Sequence, residues 1–343
     1  MDVAVIGATG AVGREMTRIL EERAFPVDRF LPLASARSAG RRVPFRGEDH
    51  EVQELSVEAV RGFDLAFASA GASTARAFLR EIAAAGTVCI DNSSAFRMDP
   101  DVPLAIPPVN PEVLETPPPS RIVAVPNCTT ITAMLAVAPL HRAAGLRSLV
   151  LSSYQSVSGA GQRGVRELIE QIEKLRGDEA SLARPDPATL PVGEVVGTTI
   201  AYNVVPRIGD IEPSGFTGEE AKMMAEPRKI LGLPDLPVVA TSVRVPTIVG
   251  HAVSIVATFG RPIDPDEARA VLARAPAVEV RDDPASGVVP TPLEAAGLDV
   301  ALVGRIRRIP DRPDALALFA CADNLRLGAA LDAVLIAERL IGR

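Results

Sequence analysis

The sequence has few cysteines and few histidines, with three of each. Its three cysteines, Cys89, Cys128 and Cys321, are odd in number and form no CxxC pair, so neither a disulfide framework nor a metal site is predicted. Tryptophan is absent and aromatic residues make up 3%, so aliphatic side chains must fill the core. The cysteine usage fits a reducing compartment, and we expect a cytoplasmic protein.

Charge and hydropathy argue against two classes of partner. The formal net charge of -7 disfavours a nucleic-acid surface, which needs clustered Lys and Arg. The longest uncharged run, residues 122–140, contains the polar turn Pro126–Thr130, whose backbone groups would stay unpaired in lipid. The sequence opens directly on a strand, without the pattern of a signal peptide. We therefore expect small-molecule ligands, and neither a nucleic-acid nor a membrane partner.

Alternating strand-like and helical segments predict an α/β fold with two domains, which 343 residues can accommodate. In residues 1–126, apolar runs such as Val3–Ile6 and Leu65–Ala68 alternate with helical stretches, as is typical of a Rossmann-like, doubly wound parallel sheet. Residues 127–323 contain longer strands and predict an α+β domain with a largely antiparallel sheet. Residues 324–343 predict a helix that returns to the N-terminal domain and completes it.

A glycine-rich turn, Gly-Ala-Thr-Gly-Ala-Val-Gly at residues 7–13, separates the first strand from the first helix. In such a unit one glycine allows the tight turn, one lets the backbone approach a phosphate, and one allows the helix to pack closely on the strand. The helix N-terminus offers unpaired N–H groups to a pyrophosphate. The spacing is GxxGxxG instead of the commoner GxGxxG, so a purely structural turn is the alternative. The binding interpretation predicts dinucleotide contacts from Gly7, Thr9, Gly10, Ala11, Val12 and Gly13.

The second predicted strand ends in Ala34-Ser35-Ala36-Arg37-Ser38. A site for NAD would place an acidic residue near here to hold the ribose hydroxyls. An arginine flanked by Ser35 and Ser38 suits a 2′-phosphate instead, so the sequence favours NADP. The alternative is a solvated loop arginine.

Cys128 is the candidate nucleophile, because it lies between a buried strand and a predicted helix that begins at Thr129. A helix N-terminus stabilises a thiolate, so we expect this position to lower the thiol pKa. Cys89 and Cys321 lie within strands and read as small core residues.

A thiolate enzyme also needs an acid/base group, and only three histidines exist. His50 lies in a charged loop, and His141 follows Cys128 by too many helical turns to reach its sulfur. His251 remains by elimination, with a purely structural histidine as the alternative.

Five motifs, taken together, resemble the bacterial aspartate-semialdehyde dehydrogenases. They occur in order from the first strand to the last helix, so the resemblance covers essentially the whole chain. The motifs are Gly-Ala-Thr-Gly-Ala-Val-Gly (7–13), Ala-Ser-Ala-Arg-Ser-Ala-Gly (34–40), Pro-Asn-Cys-Thr-Thr (126–130), Tyr-Gln-Ser-Val-Ser-Gly-Ala-Gly (154–161) and Asp-Asn-Leu (323–325).

The resemblance implies roles in catalysis and substrate binding. Cys128 matches the family's nucleophile, His251 its acid/base, and Gln155 a residue that helps to hold the reacting centre. Arg244 matches the arginine that binds the substrate α-carboxylate. Glu219 matches the carboxylate that takes the substrate amino group.

Further positions match phosphate and cofactor sites. Arg97 and Lys222 match the basic pair that binds inorganic phosphate or the acyl phosphate, with Asn127 nearby. Gly159 and Asn324 match residues that lie near the cofactor. Lys222 is three residues from Glu219 on a predicted helix, so the residues alone fit a surface ion pair better.

The implied reaction is a phosphorylating aldehyde oxidation with NADP. The Cys128 thiolate attacks L-aspartate 4-semialdehyde to give a thiohemiacetal, hydride passes to the nicotinamide, and phosphate cleaves the resulting thioester to 4-aspartyl phosphate. The reverse direction would supply the lysine, threonine and methionine pathways. The resemblance also implies that residues 127–323 form a catalytic and dimerisation domain, in a homodimer or a dimer of dimers.

Two departures from the family pattern leave alternatives open. Ala252 and Val253 follow His251 where Ser and Glu are usual, and Leu327 stands where Lys is usual. A divergent, non-catalytic nucleotide-binding paralogue is therefore one alternative. Independently of these departures, glyceraldehyde-3-phosphate dehydrogenase and N-acetyl-glutamyl-phosphate reductase share the order of nucleotide domain and cysteine, but the segments at 126–130 and 154–161 disfavour both.

Overall fold

The computed structural model describes residues 1–342, and Arg343, the last residue of the predicted terminal helix, lies outside the described residues. The elements of the N-terminal part are β1 (Asp2–Ile6), α1 (Ala11–Glu22), β2 (Arg29–Ala34), β3 (Arg42–Phe45), β4 (Glu48–Glu51), β5 (Gln53–Glu54), α2 (Val57–Val60), β6 (Leu65–Ala68), α3 (Ala72–Ala84), β7 (Val88–Asp91) and β8 (Ile122–Ala124). Those of the remainder are α4 (Cys128–Ala144), β9 (Leu146–Gln155), α5 (Gly161–Leu175), α6 (Gly218–Ile230), β10 (Val238–Arg244), β11 (His251–Phe259), α7 (Pro265–Leu272), β12 (Val278–Val280), α8 (Pro292–Ala295), β13 (Ala301–Ile309), β14 (Arg312–Ala322) and α9 (Asp332–Leu340). Short 3₁₀ turns lie at Ala36–Ser38, Pro111–Leu114, Val157–Ala160 and Glu179–Ala183, and a π-helical turn at Arg326–Leu331.

The first sheet is parallel throughout, with strand order β5-β2-β1-β6-β7-β8. From β1 the chain winds outward through β2 and then returns to the other side at β6. The carboxyl ends of β1 and β6 therefore flank a topological switch point, where ligands bind in open α/β sheets. The predicted Rossmann-like sheet is confirmed.

The second sheet is mixed, with strand order β10-β9-β11-β14-β13-β12. The three central pairings are antiparallel and the two outer pairings are parallel. One face packs against the apolar helix α4 in the main hydrophobic core. The other face carries exposed apolar residues, including Val150 and Val239.

The C-terminal segment returns to the N-terminal sheet, as predicted. Glu338 of α9 accepts two hydrogen bonds from Arg23 at the end of α1, at 2.8 and 2.7 Å. The helical segment begins at Arg326 instead of Asn324 and opens with the π turn. Arg326 pairs there with Glu15 and Glu22 of α1, which joins α1 to the start of the segment.

Helix α4 has 17 residues and, like the other helices within residues 1–342, is not long and apolar enough to cross a bilayer. It begins at Cys128, one residue earlier than predicted, because Asn127 caps it. The Asn127 side chain accepts hydrogen bonds from the N–H groups of Thr129 and Thr130 at 2.9 and 3.3 Å.

Candidate active site

The glycine turn is tightly packed around Gly7. Gly7 has φ +85°, in the left-handed region that favours glycine, and its N–H donates to Leu33 O at 2.7 Å. A Cβ on Gly13 would lie 2.3 Å from Gly7 O, so any side chain there would push α1 away from the turn. Gly13 thus sets the helix position and lines no cleft, whereas Gly10 leaves the helix N-terminus open.

Two clefts adjoin this turn. The first, of about 530 Å³, is bounded by Gly7, Thr9 and Gly10 and by the loop that carries Ser35, Arg37 and Ser38. The second, of about 330 Å³, runs from Gly10 to Cys128 and is lined by the predicted residues Ala11, Val12, Arg97, Asn127, Gly159 and Asn324. Gly10 and Ser69 line both clefts, so together they form one groove from Arg37 to Cys128.

Besides Gly13, five predicted residues line neither of these two clefts: Gln155, Glu219, Lys222, Arg244 and His251. They reach the groove through its lining residues. Glu219 contacts Asn127, and both Arg244 and His251 lie against Gly159. The structure therefore gathers them beside the Cys128 end of the groove.

The Glu219 carboxylate joins three predicted residues. Oε1 accepts from Asn127 Nδ2 at 2.8 Å and from Gln155 Nε2 at 3.2 Å, and Oε2 pairs with Lys222 Nζ at 3.0 Å. Burial by itself would raise the pKa of Glu219, but Lys222 and these two amides hold it below its ordinary value. Glu219 is therefore ionised, and the pair with Lys222 forms in a largely buried site.

Cys128 is partly exposed at the base of the groove, and a Cβ on Gly328 of the π turn would lie 2.9 Å from its own Cβ. Burial, and after it the charge of Glu219, raise the pKa of the Cys128 thiol to about 11, against the opposing effects of Arg97, Thr129 and Arg244. The sequence predicts that the helix N-terminus lowers the pKa of this thiol, but burial and the charge of Glu219 outweigh that effect. A helix end contributes about 0.3–1 kcal/mol, less than a tenfold change in acidity. Without substrate or cofactor, Cys128 is therefore a protonated thiol at neutral pH.

This pKa predicts how Cys128 reacts with iodoacetamide in the absence of substrate and cofactor. Only the thiolate is alkylated, so the rate should rise about tenfold for each pH unit between pH 7 and 9, without a plateau. Glu219→Gln removes the charge that raises the pKa, so this variant should be alkylated faster at pH 8.

Glu220→Gln is the matched control, because Glu220 is the neighbouring buried carboxylate and bonds only to the backbone of Thr217 and Ser242. We expect it to leave the rate unchanged. The rates follow from mass spectrometry of the peptide that carries Cys128. A wild-type plateau at or below pH 8 would contradict the assignment.

Arg244 ends β10 and His251 begins β11, and both contact the loop after β9. Arg244 Nη1 donates to Ser156 O at 2.7 Å, and Ser156 N donates to His251 Nδ1 at 3.1 Å. A Cβ on Gly159 would lie 3.1 Å from both Arg244 Nη1 and His251 Nε2, so this glycine preserves a gap in front of them. Burial, followed by the charge of Arg244, lowers the pKa of His251 to about 3, so its ring is neutral.

Arg97 is held by a residue that sequence reasoning missed, Glu226. Glu226 Oε1 pairs with Arg97 Nη1 at 2.9 Å, and its Oε2 accepts from Asn127 N at 2.7 Å. Arg97 also donates to the carbonyls of Val125 and Asn92, which leaves one hydrogen on each terminal nitrogen free of these bonds. Glu226 follows Glu219 by seven residues and therefore lies on the same face of the helix. This spacing is the feature of the sequence that could have indicated a role for Glu226 in the site.

A second hydrogen-bond network, which the sequence analysis did not predict, surrounds Asn324. Asn324 Oδ1 accepts from Gly250 N at 2.9 Å and from Ser156 Oγ at 3.1 Å, and Ser158 Oγ lies within 3.2 Å of the same oxygen. These side chains are buried. They fix the loop after β9 against the residue that precedes His251.

The other two histidines lie elsewhere. His141, in the last turn of α4, accepts a hydrogen bond from Leu146 N at Nδ1, at 3.0 Å. His50 lies in β4, where its ring packs edge-on against Phe30. Cys89 and Cys321 are both fully buried.

The chain is similar to known proteins over nearly its whole length. Residues 2–116 match the semialdehyde dehydrogenase NAD binding domain, and residues 137–327 match the semialdehyde dehydrogenase dimerisation domain. Similar curated proteins include the aspartate-semialdehyde dehydrogenases of Streptomyces akiyoshiensis, 46% identical with 98% of each chain covered, and Bacillus subtilis, 41% identical with 99% of this chain and 97% of that one covered. The chain belongs to the aspartate-semialdehyde dehydrogenase family.

Solved structures agree with this membership. Aspartate semialdehyde dehydrogenase II from Vibrio cholerae superposes with a TM-score of 0.92 at 38% identity, over 99% of this chain and 98% of that one. A second structure of that enzyme, complexed with ASA, superposes equally well at 37% identity. As a member of the aspartate-semialdehyde dehydrogenase family, the chain is an oxidoreductase of amino-acid biosynthesis with an NAD(P)-binding Rossmann domain. The resemblance predicted from the five motifs is confirmed.

The departures from the family pattern lie in the interior. Ala252 packs with Ala295, Leu302 and Cys321, while Val253 and Leu327 belong to the main core. None of the three departing residues lines the groove. All three side chains therefore belong to the core and not to the wall of the groove.

Proposed function

We propose that this chain interconverts L-aspartate 4-semialdehyde plus phosphate with 4-aspartyl phosphate, with NADP as cofactor and Cys128 as nucleophile. One observation carries the proposal: a single groove leads from Arg37 past the glycine turn to Cys128. A dinucleotide laid along it would have its adenosine end near Arg37 and its nicotinamide end near the sulfur. Family membership supplies the substrate class.

The residues present fit NADP. Gly13 lets α1 approach the turn so that the helix N-terminus faces the groove, and Gly10 has no side chain to block a pyrophosphate. Ser35, Arg37 and Ser38 would hold a 2′-phosphate, and Gly159 and Asn324 would border the nicotinamide. When bound, NADP supplies the hydride acceptor for aldehyde oxidation and, as NADPH, the donor for the reverse reaction.

Substrate binding follows from two opposite charges beside Cys128. Arg244 would bind the α-carboxylate and Glu219 the α-ammonium group, which leaves the aldehyde free to meet the sulfur in one orientation. Gln155 supports this arrangement by bonding to Glu219, and Asn127 does so from the turn that carries Cys128.

The covalent part of the reaction uses Cys128. Its sulfur adds to the aldehyde to form a thiohemiacetal, and after oxidation the acyl group remains on sulfur as a thioester. Arg97, with two N–H groups still free of protein bonds, and Lys222 would hold phosphate for attack on the thioester. Attack releases 4-aspartyl phosphate and restores the Cys128 sulfur.

The experiment that tests the function is an assay of NADPH formation with L-aspartate semialdehyde, with and without phosphate. We expect turnover that depends on phosphate. Glyceraldehyde 3-phosphate and N-acetyl-glutamate semialdehyde serve as competing substrates and should react far more slowly. Faster turnover of either would overturn the proposed substrate.

Cofactor preference depends on Arg37 in this proposal. Arg37→Ala removes a charge-assisted contact to the 2′-phosphate, so NADPH should bind roughly 10–100-fold more weakly while NADH binding stays unchanged. Arg41→Ala, in the same exposed loop but outside the groove, is the matched control and should alter neither. Fluorescence titration measures both affinities, and equal losses for the two cofactors would contradict the role of Arg37.

We also propose a homodimer that forms through the open face of the second sheet, as the dimerisation-domain match over residues 137–327 suggests. On that face Val239 of β10 pairs in register with Val150 of β9, and Val150 in turn with Val256 of β11. Val150 and Val239 are each about half exposed, at 50% and 52%. A continuous apolar row across three strands marks an interaction surface on a sheet.

The dimer proposal predicts that a charge on this row separates the subunits. Val150→Asp should weaken association at least about tenfold, because burying the unpaired carboxylate costs several kcal/mol. Val192→Asp, at an exposed loop position off the sheet, is the control and should stay dimeric. Sedimentation velocity over a concentration series measures the change, and an unaltered Val150→Asp dimer would refute this interface.

The activity would serve in the cytoplasm in the reducing direction, supplying precursors of lysine, threonine and methionine. The reducing compartment fits three cysteines that the structure leaves unpaired among residues 1–342.

A further inference from the structure

One face of α6 carries four charged residues of alternating sign: Glu219, Lys222, Glu226 and Lys229. Spacings of three, four and three residues place them in one row along the helix. In the proposed function the first two residues contact substrate and phosphate. The last two instead bind Arg97 and the main chain that follows it.

Glu226 connects Arg97 to the turn that carries the nucleophile. Its Oε1 accepts a hydrogen bond from Arg97 Nη1 at 2.9 Å, and its Oε2 accepts from Asn127 N, in the residue before Cys128, at 2.7 Å. The Glu226 side chain is 1% exposed and does not line the groove. Because a single rigid carboxylate spans the two donors, it sets the separation between the guanidinium and the Cys128 turn.

Three acceptors fix the plane of the Arg97 guanidinium. Besides the bond to Glu226, Nε donates to Val125 O at 2.8 Å and Nη2 donates to Asn92 O at 3.0 Å. Each nitrogen thus has one acceptor, and Glu226 is the charged one of the three. The remaining N–H group on each terminal nitrogen therefore points in a fixed direction, and Arg97 itself lines the cleft of Cys128.

Lys229 holds the main chain from which the Arg97 side chain extends. Its Nζ donates to Arg97 O at 2.7 Å and to the carbonyls of Asp99 and Val102, each at 2.8 Å. An ammonium group has three N–H donors, so these three carbonyls use all of them. Lys229 therefore has no donor left for a ligand and holds residues 97–102 against α6.

We propose that Glu226 and Lys229 are positioning residues that fix Arg97 relative to Cys128, so that phosphate bound by Arg97 lies at attacking distance from the thioester. The inference rests on the proposed function, in which Arg97 holds phosphate and Cys128 carries the acyl group. One residue fixes the side chain of Arg97 and the other fixes its main chain, both from the same face of α6. Neither contacts the reacting atoms, so their effect is on the rate of phosphate attack.

The step that depends on this positioning needs only phosphate as co-reactant. A lone pair on an oxygen of hydrogen phosphate forms the new C–O bond, and the C–S bond of the thioester breaks with its electron pair going to sulfur. The phosphate proton passes to that sulfur, which restores the Cys128 thiol and releases 4-aspartyl phosphate. No oxidant or reductant takes part, because hydride transfer is already complete.

Glu226→Gln should slow phosphate attack without preventing phosphate binding. Glutamine has one acceptor oxygen for two donors, so either Arg97 or Asn127 N loses its partner. Loss of a negative charge beside Arg97 favours an anion and offsets the looser guanidinium, so the phosphate concentration for half-maximal rate should change less than about threefold. The rate at saturating phosphate should fall roughly 10–100-fold, as expected for a misplaced reactant.

Lys229→Met tests the same proposal without altering a contact of the Cys128 turn. Methionine keeps most of the length of lysine but loses all three bonds to residues 97–102. The rate at saturating phosphate should therefore fall about 3–30-fold, again with little change in phosphate affinity.

The matched controls are Glu220→Gln and Arg228→Met, on the same helix. Glu220 is a buried carboxylate that bonds to the backbone of Thr217 and Ser242, and Arg228 donates to Leu236 O at 2.8 Å. Neither control residue contacts the phosphate site through these bonds. Both variants should keep the wild-type rates.

Rapid mixing separates the two halves of the reaction. Enzyme, NADP and L-aspartate semialdehyde without phosphate should form one NADPH per subunit, which measures acylation of Cys128. Phosphate then starts cleavage, which is followed by mass spectrometry as loss of the acyl group from Cys128. In Glu226→Gln and Lys229→Met, acylation should stay within about threefold of wild type while cleavage is slowed.

Three kinetic results would overturn the inference. Cleavage at the wild-type rate would remove both residues from the phosphate step. Equal losses of acylation and cleavage would show that they only maintain the structure. Weaker phosphate binding with a full rate at saturation would show that they contribute to affinity and not to positioning.

Amide hydrogen exchange supplies a readout without turnover. In NADP-bound protein, Lys229→Met should exchange faster in residues 97–102, and Glu226→Gln should also exchange faster in residues 125–128, with the rest of the chain unchanged. Unchanged exchange in both segments would contradict the inference whatever the substrate is. If the wild-type protein fails to turn over the semialdehyde, the proposed function is refuted, and the exchange result still decides whether α6 holds these segments.

Discussion

Cys128→Ala is expected to bind NADP with an unchanged Kd and to form no detectable NADPH from L-aspartate semialdehyde and phosphate. The substitution removes the sulfur that carries the acyl group in the proposed mechanism, so hydride transfer and phosphate attack would lose their shared intermediate. We expect turnover to fall by at least about 10⁴-fold, as for other covalent nucleophiles. The dinucleotide would contact the glycine turn and Arg37, which the substitution leaves intact. Steady-state assay and fluorescence titration of the same preparation measure both quantities.

Cys89→Ala and Cys321→Ala are the matched controls. Burial raises the pKa of each of these thiols to about 12, so both stay protonated and unreactive. Each variant should keep wild-type turnover and lose roughly 1–2 kcal/mol of unfolding free energy, because its sulfur fills space in a packed core. Ordinary turnover by Cys128→Ala, or loss of turnover in a stable control variant, would remove Cys128 from the mechanism.

The centre of the first sheet could be predicted from local patterns, because β1 and β6 are short apolar runs that are each followed by a helix. Leu65–Ala68 has the same bounds in the prediction and in the structure. The apolar run Val253–Phe259 by itself predicts a strand that is too short, since the structure begins this strand at His251. Burial of His251 within the sheet is decided by its partners on β14 and on the loop after β9, which are distant in sequence.

The groups around the candidate nucleophile were predictable only in part. The local pattern predicted a helix that begins at Thr129, one residue later than the structure has it, and capping by Asn127 was not predicted. The raised pKa of the Cys128 thiol could not be predicted in this way, because it depends first on burial in the folded protein and then on the charge of Glu219, 91 residues further along the chain. Glu226 joins Arg97 to Asn127 N across similar separations. Such contacts depend on how two sheets face each other, which no local pattern specifies.

Arg244→Lys is expected to lower kcat/KM for L-aspartate semialdehyde roughly 10²–10³-fold, mainly by raising KM. The guanidinium is nearly buried and already donates to Ser156 O through Nη1, so its remaining N–H groups are held in a fixed orientation beside Gly159. A carboxylate can accept two parallel bonds from such a group, each charge-assisted and worth about 1.5–3 kcal/mol. Lysine places one point charge on a flexible stem and loses both the fork and the bond to Ser156.

The identity of the group that Arg244 binds can be tested with β-aminopropionaldehyde, which has the aldehyde and amine of the substrate but no carboxylate. Because this analogue has nothing for Arg244 to bind, Arg244→Lys should change its kcat/KM less than about threefold. The preference of the enzyme for the semialdehyde over the analogue should therefore collapse in the variant. Arg147→Lys, an exposed arginine on β9, is the control and should keep the wild-type preference. Equal losses on both aldehydes would mean that Arg244 maintains the shape of the site and does not bind the carboxylate.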